Sequence, residues 1–563
     1  MMDIYMLLGQ RFYDSGEYEK CITLLSKSKY KYEEKVLLLM AVSYRNLHKY
    51  DKAICIIEHI LKKNPAYIPG HMQQAYVYKD KKLYITEIKL LVKTVKFIDQ
   101  QRLTGQIDNE LYLAEIYSML ASAYVKIGKS KKACQYFLYS SRKENNYTKK
   151  IEEYSNALFV MNYIYTVSDE AVYKLHINYQ RFFNNNMQYH DFTVNKSVRK
   201  IKIGYISPDF RRHPVLSWTF SLLLNYTKNQ FEVYCYSAGL EDDITKKLQQ
   251  MTDLNWRNIN GFSANKAAEL IHNDKINILF DFSGHTANNC LPVLAYKPAP
   301  VQISGIGYFN TTGLNTVDYF LSDCYCASDN MSSYFCEKII RMPHSHICYT
   351  PLGQMPKVED APCLKNGYVT FGCFNNFNKV NDFVLSLWAK ILAEIPAARL
   401  VLKSSIFDNN QGRQYVNRLM KKYKINIDRV LLRPFTKEYL NEYNDIDIAL
   451  DTYPYTGGVT SCETLYMGVP LISLCGKRHG ARFGCSILKN IEMDELIAYS
   501  AQEYIDKAVY LANNIKLIDI YHKTLRNKMN KSSLMNNRLY IKDIENIYKS
   551  IWNEFILKNI NKR

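Results

Sequence analysis

The chain has no run approaching the ~18 consecutive apolar residues of a membrane helix. Its opening stretch, MMDIYMLLGQRFYDSGEYEK, has neither a basic leader nor a long apolar core, so it is not read as a signal peptide. No CxxC pair occurs among the 14 cysteines, and Cys324 and Cys326, with one residue between them, are poorly spaced for a zinc finger. Scattered thiols argue against a disulfide scaffold and for a reduced, cytoplasmic setting. Neither G-x-G-x-x-G nor G-x-x-x-x-G-K-[ST] is present, which argues against the ordinary dinucleotide and P-loop classes. There is no long Lys/Arg block either. The net charge of +19 is spread thinly, and no recognised nucleic-acid motif accompanies it, so no nucleic-acid partner and no membrane insertion are expected.

What is present suits a globular protein. The 563 residues are 47% hydrophobic and 23% charged, enough for roughly three domains at ~100–200 residues each. The 47 tyrosines, with many Lys, Ile and Asn, are read as a codon bias of the source.

The N-terminal region repeats. Ala41, Tyr44 and Ala53 recur in type and spacing as Ala121, Tyr124 and Ala133, and Gly9, Phe12 and Cys21 form a third set. A fourth begins at Ala75 and Tyr78 but has Glu87 where a small residue is expected. Ala41 and Ala75 are 34 residues apart, and Ala75 and Ala121 are 46 apart, which places an insertion near Asp99–Asn109. Small residues let two helices approach and the aromatic fills the groove between them. The pattern resembles the tetratricopeptide repeat, whose arrays present a groove to an extended peptide or a neighbouring domain.

From Lys200 short apolar runs alternate with helical stretches. One set is KIGYIS, FEVYCYSA, INILFDFSG, PVQISGIGY, TVDYFLSD and KIIRMP; a second is YVTFGCFN, ARLVLKSS, RVLLRP, DIALDT and PLISLCG. Such runs predict two parallel, Rossmann-like sheets with a linker near 351–366. The predicted division is a repeat region over 1–150, a helical linker over 151–198, two Rossmann-like domains over 199–350 and 351–545, and a C-terminal helix or tail over 546–563. Ligands of doubly wound sheets bind beyond the carboxyl ends of the strands.

The loops that follow these strands carry the candidate chemistry. PDFRRHP holds Asp209, Arg211, Arg212 and His213, and is otherwise a solvated loop. His285 and Thr286 follow INILFDFSG, with Asp274 just ahead of it, where a helix-to-strand turn residue is the plainer reading. Asn375, Asn376 and Lys379 follow YVTFGCFN; a lysine there can neutralise a phosphate or simply be solvated. After DIALDT, Gly457 and Gly458 permit close backbone approach, and Thr460 and Ser461 stand where a helix begins. Glu463 is placed in the first helical turn, to bond a ribose diol or to complement the helix dipole. Asp445 and Asp447 form a D-x-D that is read as structural.

The blocks IGYISPDFRRHPV, ILFDFSGHTANN, YKPAPVQISGIGYFNTTGL, FGCFNNFNKVN and LDTYPYTGGVTSCETLYMGVPLIS resemble the O-GlcNAc transferase/SPINDLY family, most of all its bacterial members. The resemblance covers roughly 200–510 and implies a GT-B fold of two Rossmann-like domains behind tetratricopeptide repeats. It implies transfer of a sugar from a UDP-sugar, GlcNAc first, to protein Ser/Thr hydroxyls, with inversion and with no cofactor or metal. By position it implies diphosphate contacts from Lys379, Asn375, Asn376, Gly457, Gly458 and Thr460, and a ribose contact from Glu463. It also implies an active-site His213, a proton-acceptor role for Asp274, and sugar-side Thr286 and Gly307. Three positions depart from the family: Tyr439 stands for a base-side histidine, Val459 for one of two threonines, and Phe309 for a proline beside the sugar. Tyr439 can still stack on a base. The departure at Phe309 leaves the choice of sugar less secure than use of a UDP-sugar. The protein acceptor is expected to reach the cleft through the repeat groove. The alternatives are the same fold with another specificity (an N-glucosyltransferase or an O-fucosyltransferase) and a repeat scaffold without catalysis.

Overall fold

The computed structural model describes residues 4–105, 108–192, 200–251 and 253–560. It divides into two compact units, Met1–Glu153 with Ile406–Val416, and Tyr154–Ser405 with Asn417–Arg563.

The first unit contains α1 (Ile4–Asp14), α2 (Tyr18–Leu25), α3 (Glu34–Asn46), α4 (Tyr50–Lys63), α5 (Ile68–Asp80), α6 (Tyr84–Leu103), α7 (Leu113–Lys126) and α8 (Ser130–Lys143). They pack as four successive hairpins. Gly9, Cys21, Ala41, Ala53, Ala75, Ala121 and Ala133 are all buried, as the repeat spacing requires. A Cβ on Gly9 would meet Leu25 Cδ2 at 2.7 Å, so a larger residue there would have to displace the Leu25 side chain. The insertion extends α6, which has 20 residues against 14 in α4 and α8, and adds a 3-10 turn over Asp108–Tyr112. Gln106 and Ile107 lie outside the described residues.

Glu87 occupies its small-residue position fully buried, and neither carboxylate oxygen has a hydrogen-bond partner. Burial raises its pKa from 4.5 to about 8. The folded chain therefore keeps a proton that the unfolded chain releases above the ordinary carboxylate range. Stability falls as pH rises from 4.5 toward about 8 and stays low above it, by on the order of 5 kcal/mol. Glu87→Gln should raise the melting midpoint of the full chain at about pH 9 and leave it nearly unchanged at about pH 5. Equal midpoints for the two proteins at the higher pH would contradict this.

The second unit holds two parallel sheets. The first comprises β1 (Ile201–Ser207), β2 (Phe231–Ser237), β3 (Leu254–Asn258), β4 (Ile278–Asp281), β5 (Val301–Gly305), β6 (Tyr319–Asp323) and β7 (Lys338–Met342). The second comprises β8 (Thr370–Cys373), β9 (Arg399–Lys403), β10 (Val430–Arg433), β11 (Ile448–Leu450), β12 (Leu471–Leu474) and β13 (Ile497–Ala498). Their orders are β3-β2-β1-β4-β5-β6-β7 and β10-β9-β8-β11-β12-β13. The two sheets thus share one topology, with β1 and β8 at equivalent switch points. β4, β5, β6, β8, β11 and β12 are buried at every residue, which is why they read as continuous apolar runs.

Two boundaries need correction. The last helix runs over Asn537–Ile560, so a division at 545/546 cuts through it. It returns to the first sheet: Glu545 accepts from the Thr227 amide at 2.6 Å, and the Tyr548 ring lies 6.2 Å from that of Phe231. The stretch 151–198 is no free linker either. Asn162 Nδ2 donates to the Tyr308 hydroxyl at 2.9 Å, and that hydroxyl lies 2.6 Å from His176 Nε2, so the stretch buttresses the loop after β5. Thr193–Arg199 lie outside the described residues. The segment 351–362, between β7 and β8, carries no regular element.

Candidate functional site

The repeated topology places one buried aspartate at the same point of each sheet. Asp281 ends β4 and accepts from the Ser283 and Gly284 amides and from Ser304 Oγ on β5. Asp451 follows β11 and accepts from the Thr452 and Gly457 amides and from Ser473 Oγ on β12. Each carboxylate fixes the loop beyond its strand, where a ligand binds. Burial raises the pKa of both, against these hydrogen bonds. Sequence reasoning missed both roles, although FDFSG and LDTYP show the signal: an acid at a strand end followed by hydroxyl residues.

Asp451 leads to the lysine. Asn375 Nδ2 lies 3.4 Å from Asp451 Oδ1, and Asn375 Oδ1 accepts from Lys379 Nζ at 3.1 Å. Lys379 Nζ also donates to the Thr456 carbonyl at 2.9 Å and sits 5.1 Å from the centroid of the Tyr455 ring. Burial lowers its pKa to about 8, while Asp451 pulls it upward. Asn376 is exposed, and its carbonyl accepts from the Lys379 amide.

Gly457 and Gly458 lead into a helix over Val459–Tyr466. A Cβ on Gly457 would meet Ser461 Oγ at 2.1 Å, and one on Gly458 would meet Trp218 Cη2 at 2.7 Å. The Ser461 and Cys462 amides turn back to the Gly458 carbonyl. Among the described residues the Val459 and Thr460 amides carry no hydrogen bond, which leaves an anion-binding end beside Lys379. Ser461 Oγ is buried without a partner. Glu463 is the fifth residue of this helix, not part of its first turn. Its carboxylate accepts from the Tyr439 hydroxyl at 2.5 Å, and burial raises its pKa to about 7. Tyr439 therefore holds the acid in place, and its ring lies 6.0 Å from that of Phe435.

On the first sheet, His213 follows β1 and is one-third exposed. Its Nδ1 is 3.4 Å from Asp209 Oδ2 and 3.4 Å from the Val215 amide. Burial lowers the histidine's pKa and raises that of Asp209, whose carboxylate is also 3.6 Å from Arg211. The helix Leu216–Leu224 that follows His213 carries Trp218 onto Gly458. A Cβ on Gly307, after β5, would meet the Phe282 carbonyl oxygen at 2.0 Å and Val215 Cγ2 at 3.3 Å. Thr286, after β4, donates to the Ser283 carbonyl at 2.9 Å. His213, Gly307, Gly458 and Lys379 are thus joined in one locus where the carboxyl ends of both sheets meet. Phe309 closes it, with its ring 4.2 Å from Phe483 and 5.6 Å from Tyr455.

Asp274 is not brought into this locus. It lies ahead of β4, at the opposite end of the sheet, as the C-cap of the helix Ala264–Asn273. Its carboxylate pairs with Arg257 at 3.1 Å and accepts from the Tyr236 hydroxyl at 2.8 Å. Both carboxylate oxygens of Asp274 are thus engaged, by Arg257 and Tyr236. The D-x-D is structural: Asp445 pairs with Arg433 at 2.6 Å, and Asp447 accepts from the Cys363 and Thr370 amides.

Two Rossmann-like sheets with an open helix end and a buried lysine where their carboxyl ends meet have the architecture of the GT-B fold. A helical repeat region precedes them in the chain. The family model for glycosyl transferase family 41 matches residues 172–351 and 358–544, and the chain belongs to that family. It is 36% identical over 410 residues to a probable UDP-N-acetylglucosamine–peptide N-acetylglucosaminyltransferase SPINDLY of Solanum lycopersicum, covering 71% of this chain and 44% of that protein. The corresponding Arabidopsis thaliana protein is 35% identical, over 71% of this chain and 45% of its own. The chain thus spans less than half the length of these curated relatives. Among solved structures, an O-GlcNAc transferase mutant of Thermobaculum terrenum matches with a TM-score of 0.81 and 25% identity, over 95% of this chain and all of that one.

Proposed function

We propose that the protein transfers a sugar, GlcNAc first, from a UDP-sugar to Ser/Thr hydroxyls of a protein, with inversion and without a catalytic metal. The observation that carries this reading is Lys379, held by Asn375 and Thr456 beside the open helix end at Gly458–Thr460. Cleavage of the sugar–phosphate bond develops negative charge on the β-phosphate. A positioned ammonium and helix amides stabilise that charge with little reorganisation. Glu463, oriented by Tyr439, accepts the ribose hydroxyls. Thr286, Gly307 and Phe309 border the sugar. His213 takes the acceptor's proton as its oxygen attacks, and Asp209 steadies the imidazolium that forms. The repeats of the first unit recruit the acceptor protein.

The site should give a bell-shaped pH profile of kcat/KM. Glu463 must be ionised, so activity falls below about 7. Lys379 must be charged, so activity falls above about 8. Glu463→Gln should shift the acid limb down to that of His213, whose pKa burial lowers. An unchanged acid limb in this variant would remove Glu463 from donor binding. The acceptor side is tested by incubating the protein with UDP-GlcNAc and lysate of its source. Peptide mass spectrometry should then find N-acetylhexosamine on Ser or Thr, and modification confined to Asn would overturn the O-linked reading.

A further inference from the structure

Three buried side chains outside the donor site converge without satisfying one another. Cys326 follows β6, His346 follows β7 and His479 follows β12, and one ligand atom from each lies within 4.8 Å of the others. Cys326 and His346 are fully buried, and His479 is 3% exposed. His346 Nδ1 lies 2.5 Å from Asp323 Oδ2, and His479 Nε2 lies 2.8 Å from Ser322 Oγ. The other nitrogens, His346 Nε2 and His479 Nδ1, have no partner. As a neutral ring donating from Nδ1 to Asp323, His346 presents a lone pair at Nε2, and His479 presents one at Nδ1 in the tautomer that donates from Nε2 to Ser322 Oγ. Of the other buried histidines, His176 and His285 engage both ring nitrogens, while His522, which lies near no thiol ligand, leaves its Nδ1 without a partner. An orphaned acceptor in a dry interior is costly, and two beside a thiol call for a cation.

We propose that Cys326, His346 and His479 bind a zinc ion that ties the loops of the first sheet to those of the second. One thiolate and two imidazoles are a zinc donor set, and a bound water completes the tetrahedron. Asp323 hydrogen-bonds the ligating histidine from behind, the outer-shell arrangement that orients such rings. It also accepts from the Tyr325, Cys326 and His346 amides and from Ser486 Oγ, so it is fixed in place before any ion arrives. The charges balance: the thiolate and Asp323 neutralise a dication among neutral imidazoles. His479 also lines a cavity of about 440 Å³ together with Phe335, Lys477, Arg478 and Arg482. The ligands lie far apart in sequence, so no spacing motif announces them. The ion joins the two sets of loops and stands apart from the proposed sugar transfer.

The test is metal content of the purified full chain by inductively coupled plasma mass spectrometry. Zinc at about one per chain is expected, lost in Cys326→Ser and in His346→Leu. Because those variants could fold poorly, the wild type is also stripped with a chelator and titrated with Zn(II). Its melting midpoint should rise by several degrees as the site fills. Stripped protein whose midpoint does not respond to Zn(II), or wild type purified with copper in place of zinc, would overturn the proposal.

Discussion

Lys379→Ala should lower kcat by ~10²–10³-fold while changing the donor KM much less. The lysine is the cation beside the open helix end, and the charge it meets grows as the leaving phosphate departs. Its loss removes about 3–4 kcal/mol of transition-state stabilisation, typical of one fixed electrostatic contact in a dry site. Lys379→Arg should not rescue. The pocket between Asn375, the Thr456 carbonyl and the Tyr455 ring fits a compact ammonium, and a planar guanidinium has a different donor geometry. Measured kcat and KM with UDP-GlcNAc, alongside a melting curve, separate this effect from misfolding. A variant that kept kcat but lost donor affinity would place Lys379 in ground-state binding only.

His213→Ala should cost ~10²–10⁴-fold in kcat, because the acceptor hydroxyl loses the only histidine that the described structure offers it at this locus. Asp274→Asn is the matched control. It weakens the ion pair with Arg257 at the far end of the sheet, so it should lower stability modestly and leave kcat within a few-fold. Asp209→Asn should fall between the two, since Asp209 acts only through His213. An Asp274 variant as inactive as the His213 variant would reverse the assignment of the base.

The architecture was legible where burial made the sequence apolar. The longer strands buried on both faces were found, because a parallel strand covered by helices leaves no room for polar residues. β3 and β13 were not. β3, LNWRN, is a partly exposed edge strand with polar residues, and β13 has only two residues. The repeat spacing found the four hairpins, and Glu87 marked the one position that breaks the pattern. The loops holding His213, Gly307, Lys379 and Gly457 do follow β1, β5, β8 and β11, because strand ends and glycines are local signals. Asp274 stands where its plainer reading put it, in a helix-to-strand turn ahead of β4; the proton-acceptor role came from the resemblance, and its partners are Arg257 and Tyr236. Asp281, Asp451 and the Cys326–His346–His479 cluster were missed for a different reason. Their partners lie on other strands and loops, so the meaning of each residue exists only after folding.

The most direct test of the central claim is release of UDP from UDP-GlcNAc by the wild-type protein. It is run beside UDP-glucose, UDP-galactose and GDP-fucose, with lysate protein of the source as acceptor and Lys379→Ala in parallel. Turnover of UDP-GlcNAc that Lys379→Ala abolishes is the predicted result. Consumption of GDP-fucose or another donor instead would correct the sugar and keep the transferase. If no donor bound and none was consumed, the account would be contradicted, and the repeat unit would become the seat of function.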